Sequence, residues 1–498
     1  MLHLNENLKK SVESYPDHPA YIFEGVSTTY TDFDRQVDRL AVGLAKRGIG
    51  KGDAVALLLD NRPYFVIAYY AILRVGAAVV PMNPMYTSRE ISFILSNSKA
   101  KAIIALSALE PILTSLKKQL EGIQDLIFTE TVGSELTVEQ LIQQEEASYE
   151  PQEVNEDDLA VILYTSGTTG QPKGAMLSHR NMASNAEAIG TLLELASIDR
   201  MVAVLPMFHV FCMTVCLNGS IRYGATVLIL PRFHPVEVVH AIRDQQASCF
   251  AGVPTMYNYM LQVPTVAMED FASIRVACSG GASMPVELLH KFEEKFDLTI
   301  MEGYGLSEAA PATAFNPIRG TRKPGSIGVD IPGVTNKIVN HDGNELPRGE
   351  IGELIVQGPN VMLGYLGLPE DTKVTLKDGW LYTGDLAWMD EEGYIFIVDR
   401  KKDMILVDGY NVYPREVEEV LYQHPGIIEA AVIGVPDTIH GEAVKAFVAC
   451  KEIAVSVEEI VEFCQDKLAK YKVPRLVEFV EELPKNSTGK ILRRSLRT

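Results

Sequence analysis

The sequence predicts an α/β protein: a large N-terminal domain of parallel-sheet layers with a β-rich subdomain, then a small C-terminal α+β domain. Three observations support this fold class. Apolar strand-like runs alternate with amphipathic helical runs up to about residue 324. Short strands separated by glycine and proline turns follow, and a charged segment, 399–403, precedes a shorter final unit. Alternating strands and helices are typical of parallel sheets covered by helices.

The first elements of the chain follow this alternation. Thr31 is placed to cap a helix with apolar residues on one face, and Gly48 is placed to end it. We expect a buried strand at 54–60, a helix at 64–75 and a second strand at 76–82. The same strand pattern recurs at 202–206, 225–230 and 274–281.

The later elements are shorter and read as antiparallel strands, at 351–358, 379–385 and 393–399. We predict the domain boundary at Asp399–Arg400, which gives a large domain 1–399 and a small domain 400–498. In the small domain Ser456 and Glu459 have the spacing of a capping box. The helix that follows carries one apolar face, formed by Val457, Ile460, Val461, Cys464 and Leu468.

The charge balance excludes some classes of protein. The 498 residues include 45 Lys+Arg and 65 Asp+Glu, a formal net charge of −20, and nearly all of this excess lies before residue 400. An acidic chain of this kind is not expected to coat nucleic acid or to bind anionic lipid through bulk charge.

The cysteines and the apolar segments indicate a cytoplasmic protein. The six cysteines contain no CxxC pair, so we expect reduced thiols rather than a zinc site or a disulfide framework. The N-terminus lacks the apolar region of a signal peptide. The most apolar stretch, 65–80, is interrupted by Arg74 and Gly76 and is too short to span a membrane. The sequence leaves peripheral membrane contact and oligomeric state open.

The strongest local motif is LYTSGTTGQPKG at 163–174, which follows an apolar strand. Its glycines allow close backbone approach, and its hydroxyl groups and Lys173 can bind phosphate oxygens. The loop is not a Walker A motif, and Ser166 lacks the flanks of a nucleophile elbow. Phosphate binding is therefore favoured over a flexible linker or a serine nucleophile.

Four further segments follow in order: YGLSE (304–308), LYTGD (381–385), DRKKDMILVDGYNVYP (399–414) and PKNSTGK (484–490). With SGTTGQPKG they resemble the adenylate-forming superfamily of acyl-CoA synthetases, non-ribosomal peptide adenylation domains and luciferases. The pattern is closest to bacterial fatty acid–CoA ligases, and the resemblance extends from residue 31 to Arg494. It implies a two-step reaction, in which a carboxylate and ATP give an acyl-adenylate and pyrophosphate. A thiol, expected to be coenzyme A, then displaces AMP.

The resemblance also implies a role for each site residue. The β- and γ-phosphates of ATP would be held by Thr165, Ser166, Gly167, Thr168, Thr169, Gly170 and Lys173. The adenine would stack on Tyr304, in a pocket lined by Gly281, Ala282, Glu302, Gly303 and Ser307. Mg²⁺ would be placed by Glu308 with Thr168. The ribose would be bound by Asp385, supported by Arg400. The attacking carboxylate and the α-phosphate would be bridged by Lys490. Singly, each residue could instead be a core aromatic or a solvated charge, and the joint order of the motifs supports the functional interpretation.

The resemblance further implies that the small domain rotates about Lys402, between an orientation with Lys490 inserted and one that brings residues 408–411 to the site. Gly409 would let the pantetheine arm of coenzyme A pass beside the backbone. A plain interdomain linker is the alternative for Lys402. Asp408 departs from the family pattern, in which many members have Ser, Gly or Lys before the glycine. A carboxylate there would repel the phosphates of coenzyme A. Leu406 stands where the aryl-acid CoA ligases of plants often have lysine, which weakens the match to that branch.

The predicted acyl pocket is apolar, and its side chains are Phe208, Val210, Phe211, Met213, Val253, Met256 and Ala309. The resemblance implies an aspartate near 206–211 in enzymes that activate amino acids, and none is evident here. A medium- or long-chain fatty acid is therefore the favoured substrate. His209 would orient its carboxylate, unless it is a core histidine. The alternatives are an aryl-acid CoA ligase, a ligase that loads a carrier-protein phosphopantetheine, or a nucleotide-binding protein without ligase activity.

Overall fold

A computed structural model describes residues 3–133, 135–144, 149, 152–165, 171–450 and 455–497. Its helices are α1 (Leu4–Ser14), α2 (Tyr30–Lys46), α3 (Pro63–Arg74), α4 (Ser88–Ser98), α5 (Glu110–Gln119), α6 (Val138–Gln144), α7 (His179–Leu192), α8 (Gly219–Tyr223), α9 (Pro235–Asp244), α10 (Pro254–Gln262), α11 (Val286–Phe296), α12 (Pro369–Thr375), α13 (Pro414–Tyr422) and α14 (Val457–Gln465). A π-helical segment, Cys212–Asn218, precedes α8.

The strands are β1 (Pro19–Phe23), β2 (Val26–Thr29), β3 (Ala54–Leu58), β4 (Ala78–Pro81), β5 (Ala102–Ala105), β6 (Asp125–Phe128), β7 (Leu136–Thr137), β8 (Leu159–Thr165), β9 (Lys173–Ser178), β10 (Arg200–Ala203), β11 (Thr226–Ile229), β12 (Cys249–Gly252), β13 (Val276–Ser279), β14 (Ile300–Gly305), β15 (Ala312–Phe315), β16 (Val329–Asp330), β17 (Thr335–Val339), β18 (Gly352–Gln357), β19 (Gly364–Tyr365), β20 (Leu376–Lys377), β21 (Trp380–Met389), β22 (Ile395–Arg400), β23 (Ile405–Val407), β24 (Tyr410–Val412), β25 (Ile427–Asp437), β26 (Gly441–Cys450) and β27 (Leu476–Phe479).

Two large sheets form the N-terminal part of the molecule. The nine-stranded sheet has the order β16-β15-β14-β13-β12-β10-β11-β1-β2, and its strands from β14 to β1 are parallel. The eight-stranded sheet has the order β19-β9-β8-β4-β3-β5-β6-β7 and is parallel from β8 to β7. One apolar cluster contains buried residues of both sheets and of α2, α3 and α7. This arrangement confirms the predicted α/β fold class.

Two five-stranded sheets follow. β17, β18, β20, β21 and β22 form an antiparallel sheet, as the glycine- and proline-rich turns predict. β23 to β27 form the sheet of the C-terminal unit, with α13 and α14 contributing to a separate apolar core. β22 ends at Arg400, one residue beyond the predicted boundary, because Arg400 still pairs with Asp385 across the sheet. No helix in the described part of the chain is long and apolar enough to cross a membrane.

The start of one helix differs from the sequence expectation, and the start of another agrees with it. α2 is capped by Thr29, whose side chain accepts a hydrogen bond from the Asp32 backbone N–H, so the prediction of a cap at Thr31 is wrong. The helix starts earlier because Tyr30 is fully buried and its hydroxyl donates to the Ala225 carbonyl at 2.8 Å. For α14, Ser456 accepts from the Glu459 N–H at 3.1 Å, as its spacing predicts.

Candidate active site

The residues that are predicted to bind the nucleotide lie near the carboxyl ends of two neighbouring parallel strands, where α/β sheets commonly bind ligands. Gly281 and Ala282 follow β13, while Glu302, Gly303 and Tyr304 lie in β14. Because β13 and β14 pair in parallel, these segments are adjacent. A short 3₁₀ turn, Ser307–Ala309, then presents Ser307 and Glu308.

Tyr304, Asp385 and Arg400 form one hydrogen-bonded group. The Tyr304 hydroxyl donates to Asp385 Oδ2 at 2.5 Å, and Arg400 Nε lies 3.6 Å from Asp385 Oδ1. Burial raises the pKa of Tyr304, and the negative charge of Asp385 raises it further, so the tyrosine keeps its proton. The side chain of Asp385 is therefore held between a neutral donor and a cation, with acceptor capacity left for the hydroxyl groups of a sugar.

Glu302 and Gly303 have packing functions that the motif does not reveal. Glu302 is buried, accepts a hydrogen bond from the Met284 N–H at 3.0 Å, and its Oε2 has no hydrogen-bond partner among the described residues. Burial raises its pKa to about 7. A Cβ at Gly303 would lie 2.4 Å from the ring of Phe315. Both residues shape the wall beside Tyr304, and their contact with a nucleotide stays a prediction.

The phosphate-loop motif lies in the hairpin between β8 and β9. Thr165 and Lys173 face each other across this hairpin, so the loop between them begins and ends at one point of the sheet. The predicted phosphate ligands Ser166, Gly167, Thr168, Thr169 and Gly170 lie outside the described residues. The Lys173 ammonium forms an ion pair with Asp371 and lies 5.3 Å from the centroid of the Tyr365 ring.

Glu308 is held in position by hydrogen bonds with Tyr365 and Met362. The Tyr365 hydroxyl donates to Glu308 Oε1 at 2.9 Å, and the Glu308 carbonyl accepts from the Met362 N–H at 2.9 Å. Among the described residues, no group of three His, Cys, Asp or Glu side chains could hold a metal ion. Mg²⁺ is usually bound by one or two carboxylates together with substrate phosphates, so a single fixed carboxylate beside a phosphate loop fits this ion.

Lys490 reaches the site on a loop that is fixed from both sides. Asn486 Oδ1 accepts from the Lys490 N–H at 2.9 Å, and the Gly489 carbonyl accepts from Thr255 Oγ1 at 3.2 Å, at the start of α10. A Cβ at Gly489, where φ is +83°, would lie 2.7 Å from Thr255 Oγ1. Desolvation and, to a smaller extent, the nearby charge of Arg400 lower the pKa of Lys490 to about 8, while Asp385 opposes the shift.

His209 lies close enough to Lys490 for the charge of the lysine to affect the protonation of the imidazole. Burial lowers the pKa of His209 to about 4, and the positive charge of Lys490 contributes to the shift. His209 Nδ1 accepts a hydrogen bond from the Phe211 N–H at 3.3 Å, which leaves the proton of the neutral ring on Nε2. His209 is therefore a neutral donor near the lysine at physiological pH.

The chain belongs to a known family. A family model described as "AMP-binding enzyme" matches residues 8–366, and one described as "AMP-binding enzyme C-terminal domain" matches residues 416–490. The long-chain-fatty-acid–CoA ligase of Bacillus subtilis is 40% identical over 99% of this chain and 94% of its own length. The feruloyl-CoA synthase of an Amycolatopsis species is 36% identical over 95% of this chain and 94% of its own length. The crystal structure of ATP-bound MatB from Rhodopseudomonas palustris has a TM-score of 0.93 at 31% identity, covering 99% of this chain and 98% of that one.

This chain is an AMP-binding enzyme. It is an acyl-CoA ligase of the adenylate-forming superfamily, and ATP, Mg²⁺ and coenzyme A are the co-substrates and cofactor of that class.

The interface between the two matched regions of this AMP-binding enzyme holds the Lys490 loop in place. Lys485 lies in that loop and donates to the Tyr259 hydroxyl of α10 at 2.9 Å and to Glu429 at 2.8 Å. The amide of Asn258, also on α10, donates to the Ile428 carbonyl at 3.3 Å. These contacts were not predicted, because the sequence shows each residue as an isolated polar side chain on a separate element.

Three residues predicted to act in the second half-reaction, Lys402, Asp408 and Gly409, lie in turns of the C-terminal region. Lys402 is exposed in the turn after β22, where the Lys401 N–H donates to the Gly384 carbonyl at 3.0 Å. Asp408 and Gly409 both have positive φ, +51° and +82°, in the tight turn between β23 and β24. An Asp-Gly pair is typical of this turn, and Asp408 pairs with His440 at 2.7 Å, so both residues have a local explanation.

Two side chains of the predicted acyl pocket lie close to the glycines that follow β13. A Cβ at Gly280 would lie 3.3 Å from the Phe211 ring, and a Cβ at Gly281 would lie 3.5 Å from Val253 Cγ1. The ring of Phe211 and the side chain of Val253 thus cover the glycines that follow β13. Glycine at both positions leaves room between these apolar side chains and the backbone.

Proposed function

We propose that this AMP-binding enzyme is a fatty acid–CoA ligase that activates a medium- or long-chain fatty acid. The carboxylate oxygen of the acid bonds to the α-phosphorus of ATP, and the bond to the β-phosphate oxygen breaks, giving acyl-AMP and pyrophosphate. The thiol of coenzyme A then bonds to the acyl carbon, AMP leaves, and the thiol proton is released. The observation that carries the proposal is the desolvated Lys490 beside a neutral His209, next to an apolar wall.

Lys490 contributes a positive charge where two anions must meet. The attacking carboxylate and the α-phosphate repel each other, and an ammonium group between them offsets this repulsion in a site of low dielectric. Its pKa of about 8 leaves the lysine mostly protonated at neutral pH. We assign to His209 the orientation of the carboxylate through Nε2–H, a role that a neutral imidazole can fill without adding charge.

The remaining residues bind and orient the substrates. Asp385 is assigned to the ribose hydroxyls and Tyr304 to the adenine, with the Tyr304 hydroxyl bonded to Asp385 to hold the ring in place. Glu308 would hold Mg²⁺ together with phosphate oxygens, and the ion would supply charge neutralisation at the leaving pyrophosphate. Catalysis on this account is positioning and electrostatic stabilisation without a covalent enzyme intermediate.

The second half-reaction requires another arrangement of the C-terminal domain, 400–498. With the Lys490 loop bonded to Thr255, the turn at Asp408–Gly409 is exposed and open. We propose that the domain rotates about Lys402 after adenylation and brings this turn to the acyl-AMP. His440 then matters because its Nδ1 lies 2.7 Å from Asp408 Oδ1 and so holds the carboxylate that coenzyme A would meet at this turn.

An aryl-acid CoA ligase is the second candidate. The feruloyl-CoA synthase relative at 36% identity favours it, although the long-chain relative is more similar at 40%. A panel of carboxylic acids from acetate to oleate plus benzoate and ferulate, each with ATP, Mg²⁺ and coenzyme A, separates the two. We expect the highest kcat/KM with an acid of eight or more carbons, on the order of tenfold or more above the aryl acids, because each buried methylene contributes about 0.8 kcal/mol. Highest kcat/KM with ferulate or benzoate would contradict the proposal, and AMP formation without acyl-CoA would favour a carrier-protein acceptor.

A further inference from the structure

Asp371 is the one acidic partner that the structure gives to the phosphate-loop lysine within the described residues. Lys173 Nζ and Asp371 Oδ1 are in direct contact, and the lysine side chain is 17% exposed while that of Asp371 is 41% exposed. The two residues are 198 positions apart in sequence. Neither the loop motif nor the roles assigned above account for a carboxylate at this point.

The main chain at Asp371 is held in place by contacts that do not involve the ion pair. β19 pairs with β9, placing Tyr365 opposite Ala175, two residues after Lys173. Thr372 Oγ1 accepts from the Tyr365 N–H at 2.9 Å and donates to the Leu368 carbonyl at 2.9 Å, which fixes α12 against β19. The main chain that carries Asp371 therefore lies beside Lys173 through contacts other than the ion pair.

The same segment also positions the carboxylate assigned to the metal. The Tyr365 ring lies beneath Lys173 Nζ, and its hydroxyl donates to Glu308 Oε1. Lys173 and Glu308 are thus opposite charges beside one tyrosine, with Lys173 over its ring and Glu308 at its hydroxyl, and Asp371 pairs with the lysine. A polyphosphate bound between them would contact Lys173 and lie close to the Asp371 carboxylate.

We propose that Asp371 competes with pyrophosphate for Lys173 and promotes pyrophosphate release after adenylation. This inference rests on the assignment of Lys173 to the β- and γ-phosphates. The Lys173 ammonium is paired with Asp371, and a bound polyphosphate must share or replace that partner. The carboxylate also repels the phosphate anion. Both effects weaken the binding of pyrophosphate, so Asp371 is a positioning residue that acts through Lys173.

The test uses Asp371→Asn in the full-length enzyme, with Asp371→Glu and Glu370→Gln as controls. Glu370 is the neighbouring residue of α12, its side chain is 81% exposed, and it pairs with Lys373. Binding of magnesium pyrophosphate is measured by titration calorimetry, which requires no acid substrate. We expect Asp371→Asn to bind pyrophosphate about fivefold more tightly and to lower the KM for ATP similarly, in line with the strength of a half-exposed ion pair. We expect Asp371→Glu and Glu370→Gln to resemble the wild type.

Unchanged or weaker pyrophosphate binding in Asp371→Asn would overturn the proposal, as would an equal change in Glu370→Gln. Loss of kcat without a change in pyrophosphate affinity would also overturn it, because that would indicate a structural role in holding Lys173. Failure of the proposed function is separable from these outcomes. It would appear as wild-type enzyme that forms no acyl-CoA from any fatty acid, whatever the affinity for pyrophosphate.

Discussion

Lys490→Ala lowers the rate of acyl-adenylate formation by about 10²–10³-fold, while the binding of ATP changes little. The physical reason is the loss of a positive charge from the point where carboxylate and α-phosphate meet, and removal of one such preorganised group costs about 3–4 kcal/mol of transition-state stabilisation. The measurement is fatty-acid-dependent exchange of labelled pyrophosphate into ATP. Arg494→Ala is the matched control, because Arg494 is an exposed cation on the same C-terminal tail.

The pH dependence of the same exchange reaction tests the role of Lys490 independently. The lysine must carry a proton to pair with two anions, and desolvation lowers its pKa to about 8. The value of kcat/KM for exchange is therefore expected to fall as the pH rises through about 8. In Lys490→Arg, whatever activity remains should lack this decline, since a guanidinium stays protonated. A decline that persists unchanged in Lys490→Arg, or a Lys490→Ala variant with wild-type exchange, would contradict the role of Lys490.

Arg493→Met is expected to destabilise the protein by about 3 kcal/mol. Arg493 lies 2.9 Å from Asp399 and 2.6 Å from Glu418, and the Asp399 side chain is 3% exposed. Replacing the arginine leaves two poorly solvated carboxylates without their cation, and breaking a buried pair from one side typically costs 3–5 kcal/mol. Because Asp399 is in β22 and Glu418 is in α13, the loss also loosens the C-terminal region from the β-rich sheet.

Arg497→Met serves as the control for this effect. Arg497 pairs with Asp403 at 2.9 Å, but its side chain is 40% exposed, so the expected loss is below about 1 kcal/mol. Scanning calorimetry of the two variants and the wild type measures the difference. Equal transition temperatures for Arg493→Met and Arg497→Met would show that the two-sided ion pair contributes no more than a surface pair.

The parallel strands were predictable because each consists of a short apolar run. β3 is an example, since all five of its residues are buried as expected. The start of α2 could not be predicted, because Thr29 and Thr31 are both threonines and either could cap the helix. The burial of Tyr30 between them, through a contact with Ala225 that is 195 residues away, decides which one caps the helix.

The candidate site also contains some residues that could be predicted from the sequence and one that could not. Tyr304, Asp385, Arg400 and Lys490 could be named from ordered motifs, and the structure brings them into one neighbourhood. Asp371 could not be named, because its partner is 198 residues away and is brought close by the pairing of β19 with β9.

Arg493 shows the same limit at the C-terminus. It lies in a tail that carries several basic residues, and the sequence alone gives no reason to single it out. Its partners are 94 and 75 residues away, so folding alone distinguishes it from Arg494.

The central claim is that one enzyme forms a fatty acyl-adenylate and then transfers the acyl group to coenzyme A. The most direct test mixes the enzyme with a long-chain fatty acid, ATP and Mg²⁺ in the absence of coenzyme A, followed by a coenzyme A chase with mass spectrometric detection. We predict enzyme-bound acyl-AMP with one equivalent of pyrophosphate, converted completely to acyl-CoA and AMP on the chase. Formation of ADP and phosphate, or an acyl-AMP that coenzyme A leaves unchanged, would contradict the account.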